Sequence, residues 1–124
     1  MRDHKRLKAF EMADSIALEV YRLTASFPKE EVHGLISQIR RAAVSVPSNI
    51  VEGCSRESQA DYKRFLEIAF GSLKELRYQI TLSARLDYIA GSRAAEFDAK
   101  LDETEKVLGA LIRSQRSVAR TPKA

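Results

Sequence analysis

Apolar residues recur along this chain at intervals of three and four, the spacing that lines side chains up on one face of an α-helix. Leu7, Phe10, Ala13, Ala17, Val20 and Thr24 form a first stripe, widened by Ile16, Leu23 and Phe27. Pro28, in "SFPKEE", cannot continue that helix but suits the first turn of another, and Glu30 and Glu31 favour the positive end of the next helix. Leu35, Ile39, Ala43, Val46 and Ile50 make the second stripe, with Gly53 as a natural stop. The third opens at Ser58, where "SQAD" fits the serine-x-x-acid cap, and carries Phe65, Ala69, Leu73, Leu76, Ile80 and Ala84 to about Leu86. That is roughly 40–45 Å of helix. After a turn at "AGS", with Ser92 as N-cap, comes a fourth stripe: Phe97, Leu101, Thr104, Leu108, Leu111 and Gln115, with Ile112 alongside. No Asn-Gly or Asp-Gly hairpin turn appears. The pattern predicts an all-α fold, an antiparallel up-down-up-down four-helix bundle over residues 1–112 with a basic, disordered tail over 113–124.

One stretch breaks the rhythm. "RRAAVSVPSNIVEGCSR", residues 40–56, places Pro47 inside the second helix. A proline there removes one backbone hydrogen bond and crowds the carbonyl four residues back, here that of Ala43. Ala42 and Ala43 leave room for the ring, and Ser45, Ser48 and Asn49 offer polar groups to the freed backbone. This favours one helix kinked at Pro47 over two separate helices. Arg41, Ser45, Ser48 and Glu52 step by 4, 3 and 4, one face of the helix, nearly opposite the apolar set. On the third helix Arg64, Glu67, Gly71, Ser72 and Glu75 make a comparable strip. Strips of small and paired charged residues suit close polar contact with another chain.

At 124 residues the chain is one domain, long enough for a real core. No apolar run approaches the ~20 residues of a membrane span, and the start lacks the apolar block of a secretory signal, so the expected location is cytoplasmic, with no membrane partner. Cys54 is the single cysteine, which excludes an internal disulfide and a cysteine-rich metal site; it reads as a small packed residue or, alternatively, a reactive thiol. His4 and His33 lack ligand-like neighbours and read as surface residues. The formal charge is +4, and residues 113–124 carry four basic residues and no acid, leaving 17 of each sign elsewhere. Residues 1–8 add four basic residues against Asp3. Basic ends attract phosphate, or simply keep a protein soluble.

"QIRRAAVSVPSNIVEGCSRES", with "DYKRFLEIAFGSLKELRYQITLSARLDYI" after it, resembles the four-helix bundle proteins called 23S ribosomal RNA intervening-sequence proteins. The likeness runs from about Phe10 to Leu111 and is densest from Phe27 to Ile89. It rests on Arg41, Ala42, Ser45, Pro47, Asn49, Ile50, Glu52, Gly53 and Arg56, together with Phe65, Leu66, Ala69, Gly71, Ser72, Leu73 and Glu75. The resemblance implies a bacterial protein assembling as a homo-oligomeric ring, a pentamer, without an assigned activity; distant relatives, the accessory proteins of diversity-generating retroelements, bind nucleic acid and a reverse transcriptase. Val51, Cys54 and Arg77 depart from the family pattern, and Arg77 stands where an acid is frequent, which puts charge pairing there in doubt.

Two functional readings suit these features. In the first, the protein is a non-enzymatic, nucleic-acid-associated oligomer whose partners are itself and a nucleic acid or nucleic-acid-processing protein. Its candidate contacts are Arg40, Arg41, Arg56, Lys63, Arg113, Arg116, Arg120 and Lys123. Against this reading, the aromatic residues fall mostly on core-like positions and offer no stacking platform, and Arg41 and Arg56 equally suit ion pairs with Glu52 or Glu75. In the second, the ring is a protein-interaction scaffold, consistent with a body whose charges cancel. An enzyme is not expected. Di-iron bundles need Glu-x-x-His pairs, which are absent, and "SVPSN" has no His and Asp nearby to activate a serine. No cofactor is expected either.

Overall fold

The structure, a computed structural model, describes residues 2–119, with side chains through Gln115. Four helices make up nearly all of it: α1 Lys8–Thr24, α2 Leu35–Cys54, α3 Gln59–Arg85 and α4 Gly91–Ala119. Short 3-10 turns at His4–Arg6 and Lys29–Glu31 precede α1 and α2. Among the described residues there is no strand. α1 packs on α2 and α4, and α3 packs on α2 and α4, whereas the backbones of the diagonal pairs stay farther apart. Such a square arrangement lets four one-sided helices hide their stripes together. Numbers rise along one helix as they fall along its neighbour: Ser45 meets Ser72 where Gly53 meets Tyr62 and Phe65. Likewise Arg77 meets Asp98 at one end of α3 and α4, and Gln59 meets Gln115 at the other.

The second stripe lies in the core as spaced, with Leu35, Ile39, Ala43, Val46 and Ile50 all buried. So do Ala69, Leu73, Leu76 and Ile80 on α3, and Phe97, Leu101, Thr104 and Leu108 on α4. The first stripe is turned slightly. Ala9, Ala13, Ile16, Val20 and Leu23 form the buried arc, while Leu7, Phe10 and Ala17 are half-buried. A helix wedged between two neighbours buries whatever arc lies between them, and the sequence does not say which neighbours those are. Buried hydroxyls are satisfied locally: Thr24 donates to the Val20 carbonyl, Ser83 to that of Gln79 and Thr104 to that of Lys100, each at 2.8 Å.

Three local expectations need correction. Gly53 is not the stop of α2: it is buried inside the helix, which ends at Cys54 and is closed by the Ser55 hydroxyl donating to the Glu52 carbonyl at 2.7 Å. Ser92 is not an N-cap, because α4 begins at Gly91 and the Ala94 N–H already bonds the Ala90 carbonyl. The turn before it is made by Asp87, at φ 64°, with Tyr88 N–H on the Ser83 carbonyl and Asp87 N–H on that of Ala84. That pair of bonds is a Schellman closure, with an aspartate where glycine is usual. The Ser58 cap of α3 is formed, its hydroxyl accepting from Asp61 N–H at 3.0 Å. α4 continues to Ala119, so the segment read as a tail from 113 begins as helix; residues 120–124 lie outside the described ones.

α2 is continuous from Leu35 to Cys54 with Pro47 buried within it, so the alternative of two helices is excluded. Asn49 donates to the Ser45 carbonyl at 2.8 Å and its hydroxyl at 3.0 Å; the expected service to the Ala43 carbonyl does not come from this side chain. Among the described residues no helix is long and apolar enough to cross a membrane.

Candidate nucleic-acid interface

α2 and α3 come closest where their side chains are smallest. A Cβ on Gly53 would stand 2.9 Å from Phe65 Cβ and 3.3 Å from both the ring and the carbonyl oxygen of Tyr62, so only glycine fits. Two turns earlier Ser45 and Ser72 share a hydrogen bond of 2.8 Å across the same seam, which Asn49 extends. Four residues of the predicted polar motif, Ser45, Asn49, Gly53 and Ser72, are thus brought together within one chain. Pro47 is buried beside them on α2. Ser48 is exposed, and Glu52 forms an exposed pair with Arg56 at 2.6 Å. Glu75 accepts from the Gln79 amide nitrogen at 3.3 Å, while the oxygen of that amide is buried without a partner. Gly71 is the opposite of Gly53: a Cβ there would meet nothing within 4 Å.

The fold sorts the charges by height along the bundle. The start of α1, the end of α2, the start of α3 and the end of α4 share one end. Halving the helices lengthwise assigns residues 2–15, 46–71 and 106–119 to that end, with 10 basic and 7 acidic residues; the other half has 9 and 10. Of the candidate contacts, Arg56, Lys63 and Arg113 belong to the basic end, as does Arg116 by its place in α4. Arg120 and Lys123 lie outside the described residues. Arg2, which no sequence pattern singled out, is fastened there. It donates to the Arg56 carbonyl at 2.8 Å and to Gln59 at 3.1 Å, and its guanidinium carbon lies 4.0 Å from the Tyr62 ring centre. Arg113 lines a cavity of about 270 Å³ with Glu67, Phe70, Gly109 and Ile112.

Arg40 and Arg41 sit toward the other end. Arg40 donates to the Thr24 hydroxyl at 2.9 Å and the Tyr21 carbonyl at 3.4 Å, and stacks 4.5 Å from the Tyr21 ring centre. Arg41 is exposed and makes no hydrogen bond or ion pair among the described residues, so its expected pairing with Glu52 or Glu75 does not occur within the chain. Nor are the aromatics all core: Tyr21 and Tyr78 are 47% and 60% exposed. Tyr21 falls off the apolar stripe of α1 and 19 residues before Arg40, so no short-range pattern could have paired them.

Two further groups bear on chemistry. Cys54 is buried, and burial pushes its thiol up from the usual value, which keeps it a packed thiol and not a nucleophile. Arg77 answers the doubt attached to it, for it bonds Asp98 at 2.7 and 3.0 Å and Asp102 and Glu105 at 3.2 Å, joining α3 to α4. The Asp98 hydrogen bond is the main reason its guanidinium is held above its usual pKa. Among the described residues no group of three His, Cys, Asp or Glu is placed to hold a metal ion.

The family model for 23S rRNA-intervening sequence proteins matches residues 5–110. Among solved structures, the chain is similar to a protein of unknown function from the S23 ribosomal protein family of Bacteroides thetaiotaomicron, at 23% identity and a TM-score of 0.78, over 85% of this chain and 95% of that one. At that identity the likeness speaks for the fold alone. No curated protein matches the chain.

Proposed function

We propose that this chain, which belongs to the 23S rRNA-intervening sequence protein family, works in the cytoplasm as a non-enzymatic, nucleic-acid-associated protein assembled as a homo-oligomeric ring, a pentamer. The observation that carries the nucleic-acid part is the sorting of charge: 10 basic against 7 acidic residues at one end of the bundle, and 9 against 10 at the other. A phosphate backbone responds to such local density as well as to net charge. Five copies at +4 each would carry about +20, which strengthens the attraction.

Assembly is supported by Gly71. A glycine in mid-helix costs about 1 kcal/mol relative to alanine, and nothing within the chain requires one there. A neighbouring chain passing close to that face would. Ser48 on α2 and Glu75 on α3, both exposed, are available to it.

Light scattering tests the ring, with a mass near 14.0 kDa removing it. Gly71→Leu sharpens the result: the chain should fold unchanged while the oligomer is lost. Filter binding of RNA and DNA over a salt series tests the charge. Affinities weaker than ~100 μM at low salt, or without a salt slope, remove the nucleic-acid reading. Stoichiometric recovery of a protein partner, with residues 113–124 dispensable, would select the scaffold instead. That reading draws on the exposed Leu18, Tyr78 and Val44, 55%, 60% and 40% accessible.

A further inference from the structure

The groove between α1, the Val32–His33 segment and α2 has a volume of about 570 Å³, within the range of small-ligand sites. Its polar lining is Arg40, Arg41, His33 and Ser37, with no carboxylate. Of the acids in the Lys29–Glu31 turn, Glu30 is not part of the lining and Glu31 is occupied elsewhere, accepting from the Tyr88 hydroxyl at 2.8 Å and from Leu35 N–H at 3.1 Å. Two adjacent guanidiniums thus face the groove with no counter-charge from within its walls.

They differ in how they are held. Arg40 is clamped by Thr24 and Tyr21 and lies against the Tyr21 ring, using two of its five N–H donors. Arg41 is unpartnered among the described residues. A fixed cation beside a free one suits an anion with several acceptor oxygens, which a phosphate has and a single carboxylate offers less fully. The remaining walls are apolar yet wet: Tyr21 and Val32 are each 47% exposed and Val44 40%. Large apolar groups next to unpaired cations match a ligand with a flat apolar part and a phosphate a few ångströms apart.

We propose that this groove holds one phosphorylated nucleoside unit, its base against Tyr21, Val32 and Val44 and its phosphate on Arg41, Arg40, His33 and Ser37. The unit belongs to a single strand or to a free nucleotide, which share this chemistry. As a strand contact the proposal deepens the nucleic-acid reading and rests on it; the basic end supplies general phosphate attraction and the groove supplies the base contact.

The experiment uses the full chain, fluorescence anisotropy with a labelled twelve-nucleotide oligouridylate and an abasic strand of equal length, and calorimetric titration with uridine monophosphate. Tyr21→Ala should weaken oligouridylate binding roughly 5- to 100-fold, the range for losing one stacked base, and weaken the abasic strand clearly less, through the lost stack on Arg40, with the salt slope unchanged. Tyr21→Phe should restore it. Arg41→Ala should weaken both strands and lower the salt slope by about one. Arg56→Ala with Lys63→Ala, at the other end, should weaken both strands equally without touching the difference between them. If the Tyr21 and Arg41 variants bind like wild type while the Arg56/Lys63 variant does not, the groove is overturned and the nucleic-acid reading stands. If no strand binds but the monophosphate does, in a manner lost in Tyr21→Ala, the groove stands with a free nucleotide as its ligand. If nothing binds, both fall. A changed light-scattering mass for Tyr21→Ala would show that a second copy covers this face, and would also overturn the proposal.

Discussion

Helix α3 is held on its two sides by different means. Toward α2 the contact is made of absences: Gly53 lets the backbones approach until Phe65 Cβ would lie 2.9 Å from an added Cβ, and Ser45 and Ser72 close the seam with one short hydrogen bond. Toward α4 the contact is made of reach. Arg77 spans the gap to Asp98, Asp102 and Glu105, and Lys74 adds a bond to Glu105 at 3.2 Å. The first seam cannot adjust, because the obstructing atoms are a Cβ and a main-chain oxygen. The second can, because its atoms sit at the ends of long side chains and several bonds share the work. A tight seam therefore fails abruptly on a small change, and an ionic seam fails gradually and in proportion to screening.

The largest expected effect breaks the tight side. Gly53→Ala should destabilise by about 2–3 kcal/mol, as overpacking of a filled interior does; a urea midpoint within error of wild type would show that α2 and α3 can part there freely. On the ionic side, Arg77→Ala removes the shared partner of three acids, and Glu105 already has one buried oxygen without a bond. With Arg77 27% and Glu105 11% exposed, the cost should be about 1–2 kcal/mol, smaller in 1 M salt than at low salt. A salt-independent loss would mean that packing of the arginine stem, not charge, joins these helices.

Gly71→Ala sharpens the comparison from outside either seam. With open space around the added methyl, the isolated chain should gain about 0.5–1 kcal/mol, opposite in sign to the same change at Gly53. A loss measured on the dissociated chain would refute the open geometry. The smallest effect lies at the far end of the α2 and α3 pair. The Tyr88 hydroxyl and then Leu35 N–H hold the Glu31 carboxyl below its usual value, and Glu31 in turn holds the Tyr88 phenol above its own. A pKa lowered by folding contributes stability that is whole above the unfolded value and lost as pH falls through the folded one. A raised phenol contributes stability that is whole below its unfolded value of about 10 and lost as pH rises through the folded one. Glu31→Gln should flatten both limbs of a plot of urea midpoint against pH; unchanged limbs would show that this bond carries no linkage.

The stripes of α2, α3 and α4 were readable because burial in a bundle imposes a 3.6-residue period on each helix separately. Ser58 was readable for a similar reason, since a cap acts over three residues. Gly53 was seen but misread, as a stop instead of a point of approach, because its reason lies in Tyr62 and Phe65 on another helix. Arg77 looked like a mismatch until Asp98, Asp102 and Glu105 came opposite it. Tyr21 and Arg2 were missed, each depending on residues of another element for its role.

By itself, then, the sequence determined the family, from residues spread along the chain, and four helices with most of their buried faces, properties set within a turn or two. The tertiary structure alone decided which small residues meet, which acids surround Arg77, that one end has the excess of basic over acidic residues, and that Tyr21, Arg40 and Arg41 border one groove. The Tyr21–Arg40, Arg77–Asp98 and Ser45–Ser72 bonds join residues 19, 21 and 27 positions apart, and local propensity carries no information across such distances. Only the direction and register of packed helices supply it.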